Sequence, residues 1–317
     1  MKINFKKIYT KYGMILIFIV VFVAAALIND NFIKTANLMN ILRQITVICL
    51  LAFGSTFIIL LGHIDVSYGS VVALTGCISA SVMVLTQVVY LSILVAVALG
   101  ALIGLIAGFL ITKFHIQAFI VTLAITTIAR GAVLYYTKGV PVAGMNDDFK
   151  VLGQGNIGFM PISLIVLILI YVISLLLLNR TKFGRYVYAC GGNISAAWAS
   201  GIKVNKVIIQ AFVYNGILAG FAGVLLASRI NSGQPAMGAG YEFDAITAVV
   251  VGGTSLAGGI GGLTGTIFGA LIIGVINNIM NLTNVSSYFQ MMIRGVIITI
   301  AVIIDIKTKS TKETVKI

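Results

Sequence analysis

The sequence predicts an all-α polytopic membrane protein of about ten transmembrane helices. Of its 317 residues, 60% are hydrophobic and only 9% are charged, against roughly 25% charged in ordinary soluble domains. Apolar runs near the ~20 residues that cross a hydrocarbon core recur along the whole chain. The placement of the basic residues supplies a third, independent signal. Little sequence is left for a soluble catalytic domain, so the chain reads as one transmembrane domain, 1–317.

Hydropathy places the spans near 13–28, 41–62, 66–85, 88–112, 117–137, 161–179, 207–229, 243–258, 262–282 and 289–306. The first imitates a signal peptide, with lysines, an apolar run and Ala24-Ala25-Ala26. Because more spans follow and the run reaches Ile28, an uncleaved helix is expected. The third, eighth and ninth spans are rich in Gly, Ser and Thr and give the weakest hydropathy signal. Small residues recur at four-residue spacing: Gly100, Gly104 and Gly108 in span four, Gly216 and Gly220 in span seven, Gly265 and Gly269 in span nine. Lipid gives helices no hydrophobic reason to associate, so close backbone approach through small residues holds them together. Packing within the chain is expected.

An even number of spans puts both termini and the loops near 113–116 and 180–206 on one side. That side carries fourteen basic residues, and the other carries Lys34, Lys138 and Lys150. The net charge of +13 thus follows the positive-inside rule, with cytoplasmic termini. It reads as topology, not as a nucleic-acid surface.

The two halves echo each other. "HIDVSYGSVVALTG" (63–76) and "EFDAITAVVVGGTS" (242–255) both open a small-residue helix with an aspartate, and "IARGAVL" (128–134) and "MIRGVII" (292–298) place an Arg-Gly pair in an apolar helix. An inverted repeat, spans two to five against seven to ten, produces this pattern, which transporters commonly use.

Ionisable groups at or near membrane depth are Arg43, Arg130, Arg229, Arg294, Asp65, Glu242, Asp244 and Asp305. Each costs roughly 2.5–3.5 kcal/mol at a helix centre, so each pairs, faces an aqueous cavity or snorkels. Glu242 and Asp244, at the outer mouth of span eight, are candidates for ion pairs with Arg229 or Arg294. No third ligand joins His63 and Asp65, and Cys49, Cys77 and Cys190 are scattered, so no metal site is expected. In "VVVGGTSLAGGIGGLTG" (249–265), Gly253 and Gly258 stand five apart, as in a phosphate-binding loop. Gly259-Ile260 replaces the required lysine and hydroxyl residue. A tight turn with close packing between spans eight and nine is expected there instead.

The segment "RTKFGRYVYACGGNISAAWASGIKVNK" (180–206) is basic and contains a short helix. Asn193 is its N-cap and Gly201 its terminator. Ala196, Ala197 and Ala199 form a small-residue surface from which Trp198, the chain's one tryptophan, projects. Such a residue either anchors a docked protein or lies in the lipid headgroups.

This segment resembles the coupling loop of ABC-transporter permeases, in the Gly-Asn-x-x-Ala-Ala-x-x-Ser-Gly-Ile form of the ribose-type sugar importers, here Gly192, Asn193, Ala196, Ala197, Ser200, Gly201 and Ile202. The stretch from Gln234 to Asp305 is similar to that family almost throughout, and "IDVSYGSVVALTG" (64–76) is similar to its N-terminal hallmark. The resemblance covers roughly residues 40–305. It implies a type II ABC-importer-like fold in the bacterial cytoplasmic membrane, with two copies, or this chain and a close relative, forming the pore. A cytoplasmic ATPase would dock on 192–202, and an extracytoplasmic sugar-binding protein would deliver a monosaccharide, ribose or a related pentose or hexose, to the outer face near Glu242 and Asp244. ATP would bind and be hydrolysed in the partner, so this chain would be no enzyme and would need no cofactor. His63, where the family has glycine, and Tyr68, where it has a small apolar residue, depart from the pattern and leave the sugar open.

Candidate pathway residues are polar groups in or beside apolar helices: Asp65, Ser67, Thr122, Arg130, Asn215, Asn277, Asn278 and Gln290. Polar contacts between membrane helices average about 0.6 kcal/mol and are common, so helix packing is the competing role. Permeases for nucleosides or branched-chain amino acids, and proton-coupled secondary transporters, are the alternative classes. The last needs a titratable carboxylate at the substrate site and no docking loop.

Overall fold

The computed structural model describes residues 5–313; Lys2 and Lys316 lie outside them. In chain order the elements are α1 (Phe5–Ile28), α2 (Thr35–Leu60), α3 (Tyr68–Thr86), α4 (Val89–Phe114), α5 (Ala118–Thr137), α6 (Asp147–Gln154), the strands β1 (Asn156–Ile157) and β2 (Met160–Pro161), α7 (Ile162–Arg180), α8 (Lys182–Gly192), α9 (Ile194–Ala199), α10 (Val204–Ile230), α11 (Tyr241–Val251), α12 (Leu263–Leu282) and α13 (Ser287–Glu313). The strands form one antiparallel hairpin. Among the described residues, eight helices are long and apolar enough to cross a membrane, and Gly13–Ile28 of α1 adds a shorter apolar stretch.

The core is built on α2 and α10. No charged residue occurs between Arg43 and Asp65, and a helix apolar all round is an interior helix. Accordingly α2 is buried from Ile45 to Leu60 without a break. The two helices touch each other, and their neighbours obey the inverted repeat. α10 packs on α3 and α4 as α2 packs on α11 and α12, and α3 contacts α4 and α5 as α11 contacts α12 and α13.

The glycine spacings meet each other within the chain. A Cβ at Gly100 would strike the Gly216 carbonyl, one at Gly216 the Gly100 carbonyl, and one at Gly104 the Phe212 carbonyl. The glycine faces of α4 and α10 are therefore one antiparallel contact. Gly269 of α12 sits likewise against the Ala248 carbonyl of α11, and Gly265 against that of Gly252.

The eighth predicted span, 243–258, takes a different form. α11 has 11 residues, about 16 Å of helix at 1.5 Å per residue, against a hydrocarbon core of about 30 Å. Glycine carries the rest: Gly253, Gly258, Gly259 and Gly261 all have positive φ, which only glycine adopts freely. Hydropathy averages over such a segment because its composition stays apolar while its backbone leaves the helix. The segment leaves the helix on both sides, through turns at 231–240 before α11 and irregular residues 252–262 after it.

Both halves share this break. After α2 ends beside α8, residues 61–67 run back alongside the middle of α10 before α3 begins; Asp65 meets Asn215, eleven residues into α10. After α10 ends at the opposite side, residues 231–240 descend until Gly238 touches Gly69 at the start of α3. The two broken segments enter from opposite faces.

Gly104→Leu is expected to destabilise by about 1–3 kcal/mol through overpacking, lowering the thermal midpoint of the detergent-solubilised protein. Gly131→Ala is the control: an added Cβ there meets nothing within 4 Å, so the midpoint stays or rises. Circular dichroism melts of both variants check this.

Candidate functional site

Two regions carry chemistry: a docking element at the α8–α9 end, and two buried carboxylates at the chain breaks.

The Asn193 side chain accepts from Ala196 N at 2.9 Å, the N-cap the sequence anticipates. At the other end Gly201 has φ +81° and its N–H donates to Trp198 O at 2.9 Å, followed by Ile202 N to Ala197 O at 3.1 Å. Ala197 is buried, while Gly192, Asn193, Ala196 and Ser200 are exposed and Trp198 is 74% exposed. A large aromatic on a rigid, capped, outward-facing turn has the form of an interface anchor. Clefts of about 380 and 500 Å³, lined by Lys203 and Ile202 with Lys182 and Lys206 or with Trp198, flank it. Burial pushes the Tyr188 phenol and the Cys190 thiol of α8 upward, so neither is poised as a base or nucleophile at neutral pH. Among the described residues no group of three or more His, Cys, Asp or Glu could hold a metal.

At the first break, Asp65 is 3% exposed. Its Oδ1 accepts from Ser67 N at 2.7 Å and Ser67 Oγ at 2.6 Å, and its Oδ2 accepts from Asn215 Nδ2 at 2.8 Å. Val66 N donates to Thr122 Oγ1 at 3.3 Å, and Thr126 Oγ1 donates to Val66 O at 3.0 Å. Asp65, Ser67, Thr122 and Asn215 thus come together, as a clamp on backbone outside any helix or strand. A cavity of about 10 Å³ beside them is about the size of one water. Tyr68 Oη and Asn215 Oδ1, both residues lining it, are buried without a hydrogen-bond partner in the chain.

At the second break, Asp244 is 2% exposed. It pairs with Arg294 Nε at 3.3 Å and accepts from Asn277 Nδ2 at 3.1 Å, so the Arg294 pairing is the one realised. Arg130 Nη1 donates to the carbonyls of Pro235 and Met237, holding residues 231–240 as Asp65 holds 61–67. Glu242 is half-buried, its Oε1 accepting from Gly240 N at 3.3 Å. Asp244 is therefore covered by the chain itself and is not open to a partner from solvent.

Asn278 and Gln290 stand apart from both clusters. Asn278 exchanges amide hydrogen bonds with Asn37 of α2, at 2.8 and 3.0 Å. Gln290 Nε2 donates to Asn281 Oδ1 at 3.0 Å and Val285 O at 2.9 Å, closing the α12–α13 turn. Thr126 and Asn37 carry no local signal of their part in these contacts, since nothing in their sequence surroundings separates them from other small polar helix residues.

The broken-helix architecture is matched by sequence. Residues 37–302 fit the family model described as branched-chain amino acid transport system / permease component. The chain belongs to this permease family. The ribose import permease protein RbsC of Haemophilus influenzae is 43% identical to the permease over 291 residues, 90% of each chain. That of Bacillus subtilis is 42% identical over 308 residues, 96% of each. The L-arabinose ABC transporter permease protein AraH of Azospirillum brasilense is 35% identical over 313 residues, 98% of this chain and 92% of its own. No solved structure matches. The permease is a multi-pass protein of the bacterial cytoplasmic membrane.

Arg294→Ala would leave Asp244 buried and unpaired, and is expected to destabilise by about 3–5 kcal/mol. Adding Asp244→Asn should recover most of the loss, because the charge that lost its partner is gone. Thermal unfolding of the single and double variants in detergent reads the difference.

Proposed function

We propose that the permease is the membrane subunit of an ATP-binding-cassette importer that moves a monosaccharide, ribose or a related pentose or hexose. The observation that carries the ATP-driven part is α9, an exposed, doubly capped helix presenting Trp198 on the basic end of the molecule. The sugar class follows from the relatives, whose names are those of ribose and arabinose permeases.

In this reading the basic end and both termini are cytoplasmic. A cytoplasmic ATPase docks on residues 192–202, with Trp198 as anchor, Ala196 and Ser200 as its close surroundings, and Gly192, Gly201 and Ile202 as the hinges that set the turn. ATP binding and hydrolysis belong to that partner. A sugar-binding protein meets the opposite end, where α6 and the β1–β2 hairpin are the exposed features; there Phe159 is 82% exposed.

The pathway requires a second chain. The cavities beside Asp65 and Asp244 each enclose about 10 Å³, far too little for a monosaccharide. Meanwhile α5 and α13 expose much of their length. A pore between two copies, or between this chain and a close relative, reconciles the two facts. A proton-coupled transporter fits less well, because Asp65 and Asp244 are both engaged by groups of the chain itself.

Reconstitution into proteoliposomes tests the proposal. Labelled ribose should enter only with the ATPase, the binding protein and ATP all present. Uptake by the permease alone under a proton gradient would overturn it, and ATP-dependent uptake of a nucleoside or branched-chain amino acid instead of a sugar would overturn the substrate.

Trp198→Asp should leave the amount of folded permease in the membrane unchanged, since this side chain packs on little of its own chain. Recovery of the ATPase by pull-down should drop more than tenfold, as for an interface hot spot worth about 2 kcal/mol. Gly201→Arg, placed at positive φ, should act in the same direction.

A further inference from the structure

The glycine run that imitates a phosphate loop has a position that the docking reading leaves unused. Residues 252–262 lie directly against the C-terminal end of α8, which leads into α9, and against the end of α2. Gly259 N donates to Leu60 O at 2.9 Å. A Cβ on Gly191 would run into the Leu60 carbonyl, with Gly259 N only 2.7 Å away. One on Gly258 would meet Gly62 N and Leu60 O at 2.9 Å, and one on Gly259 would meet Gly192 N and Cα at 2.9 Å. Three backbones therefore touch with no side chain between them. Tyr188 Oη adds a hydrogen bond from α8 to Gly261 O at 2.9 Å.

The loop is itself rigid. Ser255 N donates to Ile260 O at 2.9 Å, Gly258 N to Ser255 O at 3.0 Å, and Gly262 N to Thr254 Oγ1 at 3.2 Å. It continues directly into α11 and α12, and Leu256 N donates to Asp305 Oδ2 of α13 at 3.2 Å. On the other side α2 leads straight into residues 61–67 and the Asp65 clamp. One contact thus joins the docking element to both halves of the repeat.

We infer that residues 252–262 are a relay joint, seated by Tyr188, Gly191 and Gly259, which carries displacement of α9 into α2 and into α11–α13. Side chains at such a contact would absorb motion by changing rotamer. Bare backbone at van der Waals distance transmits it, because packed interiors switch between arrangements and do not compress. The inference rests on α9 being the ATPase-docking element, and it makes Tyr188 and the two glycines positioning residues that touch neither nucleotide nor sugar.

The test uses the assembled transporter in proteoliposomes, with ribose uptake and ATP hydrolysis measured together. Tyr188→Phe keeps the ring and removes the hydrogen bond to Gly261. ATPase pull-down should be unchanged, while ribose imported per ATP hydrolysed should fall by roughly threefold to tenfold, the factor that one hydrogen bond carries as a coupling energy. Gly259→Ala should act in the same direction and more strongly. Should that variant fail to fold, hydrogen exchange on the wild type and Tyr188→Phe serves in its place. Trapping the ATPase with vanadate should alter amide exchange at 188–202 and at 252–262 in the wild type, and in Tyr188→Phe the response at 252–262 should shrink. Unchanged uptake per ATP in Tyr188→Phe, or a wild-type response confined to 188–202, overturns the relay. Failure of the wild-type permease to hold the ATPase at all overturns the docking reading beneath it.

Discussion

Unwound backbone at membrane depth has no water to satisfy it, and each unpaired N–H or C=O there costs several kcal/mol. The architecture depends on how this chain meets that constraint at residues 61–67 and 231–240. At the first segment Asp65, Thr122 and Thr126 take up the free groups of Val66 and Ser67, and Asn215 fixes the carboxylate from α10. At the second, Arg130 takes the carbonyls of Pro235 and Met237, while Val142 and Gly233 exchange backbone hydrogen bonds. With those groups satisfied, α3 and α11 can start inside the bilayer, and the two halves can interlock around α2 and α10. The polar residues in these spans therefore have a structural function whatever they do in transport.

The repeat is symmetric in backbone and asymmetric in charge. Asp244 has a cationic partner in Arg294, whereas Asp65 is held by an amide, a hydroxyl and a backbone N–H. Arg130, which the repeat sets opposite Arg294, is engaged by carbonyls instead. One half keeps a charged pair under its outer surface, and the other buries a carboxylate among neutral donors beside a water-sized cavity. Tyr68 is fully buried at that cavity, in the core of the first half and away from the exposed faces.

Much of this was legible in the sequence because the governing physics is local. The recurrence of apolar runs of about 20 residues marks eight of the described helices by composition alone. Asn193 and Gly201 are readable as caps because capping depends on residues three or four apart. The spacing of Gly100, Gly104 and Gly108 is readable as a packing face for the same reason. What was illegible is whatever depends on a distant partner. Nothing near Asn278 points to Asn37, nothing near Gln290 marks it as a turn-closing residue, and nothing near Tyr188 points to Gly261. The end of α11 was hidden for another cause: Gly, Ala, Leu and Ile score as apolar whether the backbone is helical or in the left-handed region.

The division of labour in the proposed importer places the choice of sugar outside this chain. Selectivity between similar sugars needs buried polar groups that are left unpaired by the wrong ligand. Here Asp65, Asn277, Asn278 and Gln290 are engaged within the chain, and the cavity at which Tyr68 Oη and Asn215 Oδ1 stand unpartnered has room for about one water. A conduit that bound its cargo tightly would release it slowly, so a chain whose buried polar groups hold its own backbone suits passage better than recognition. In the proposed importer recognition would then fall to the binding protein and drive to the ATPase, with this chain linking the two.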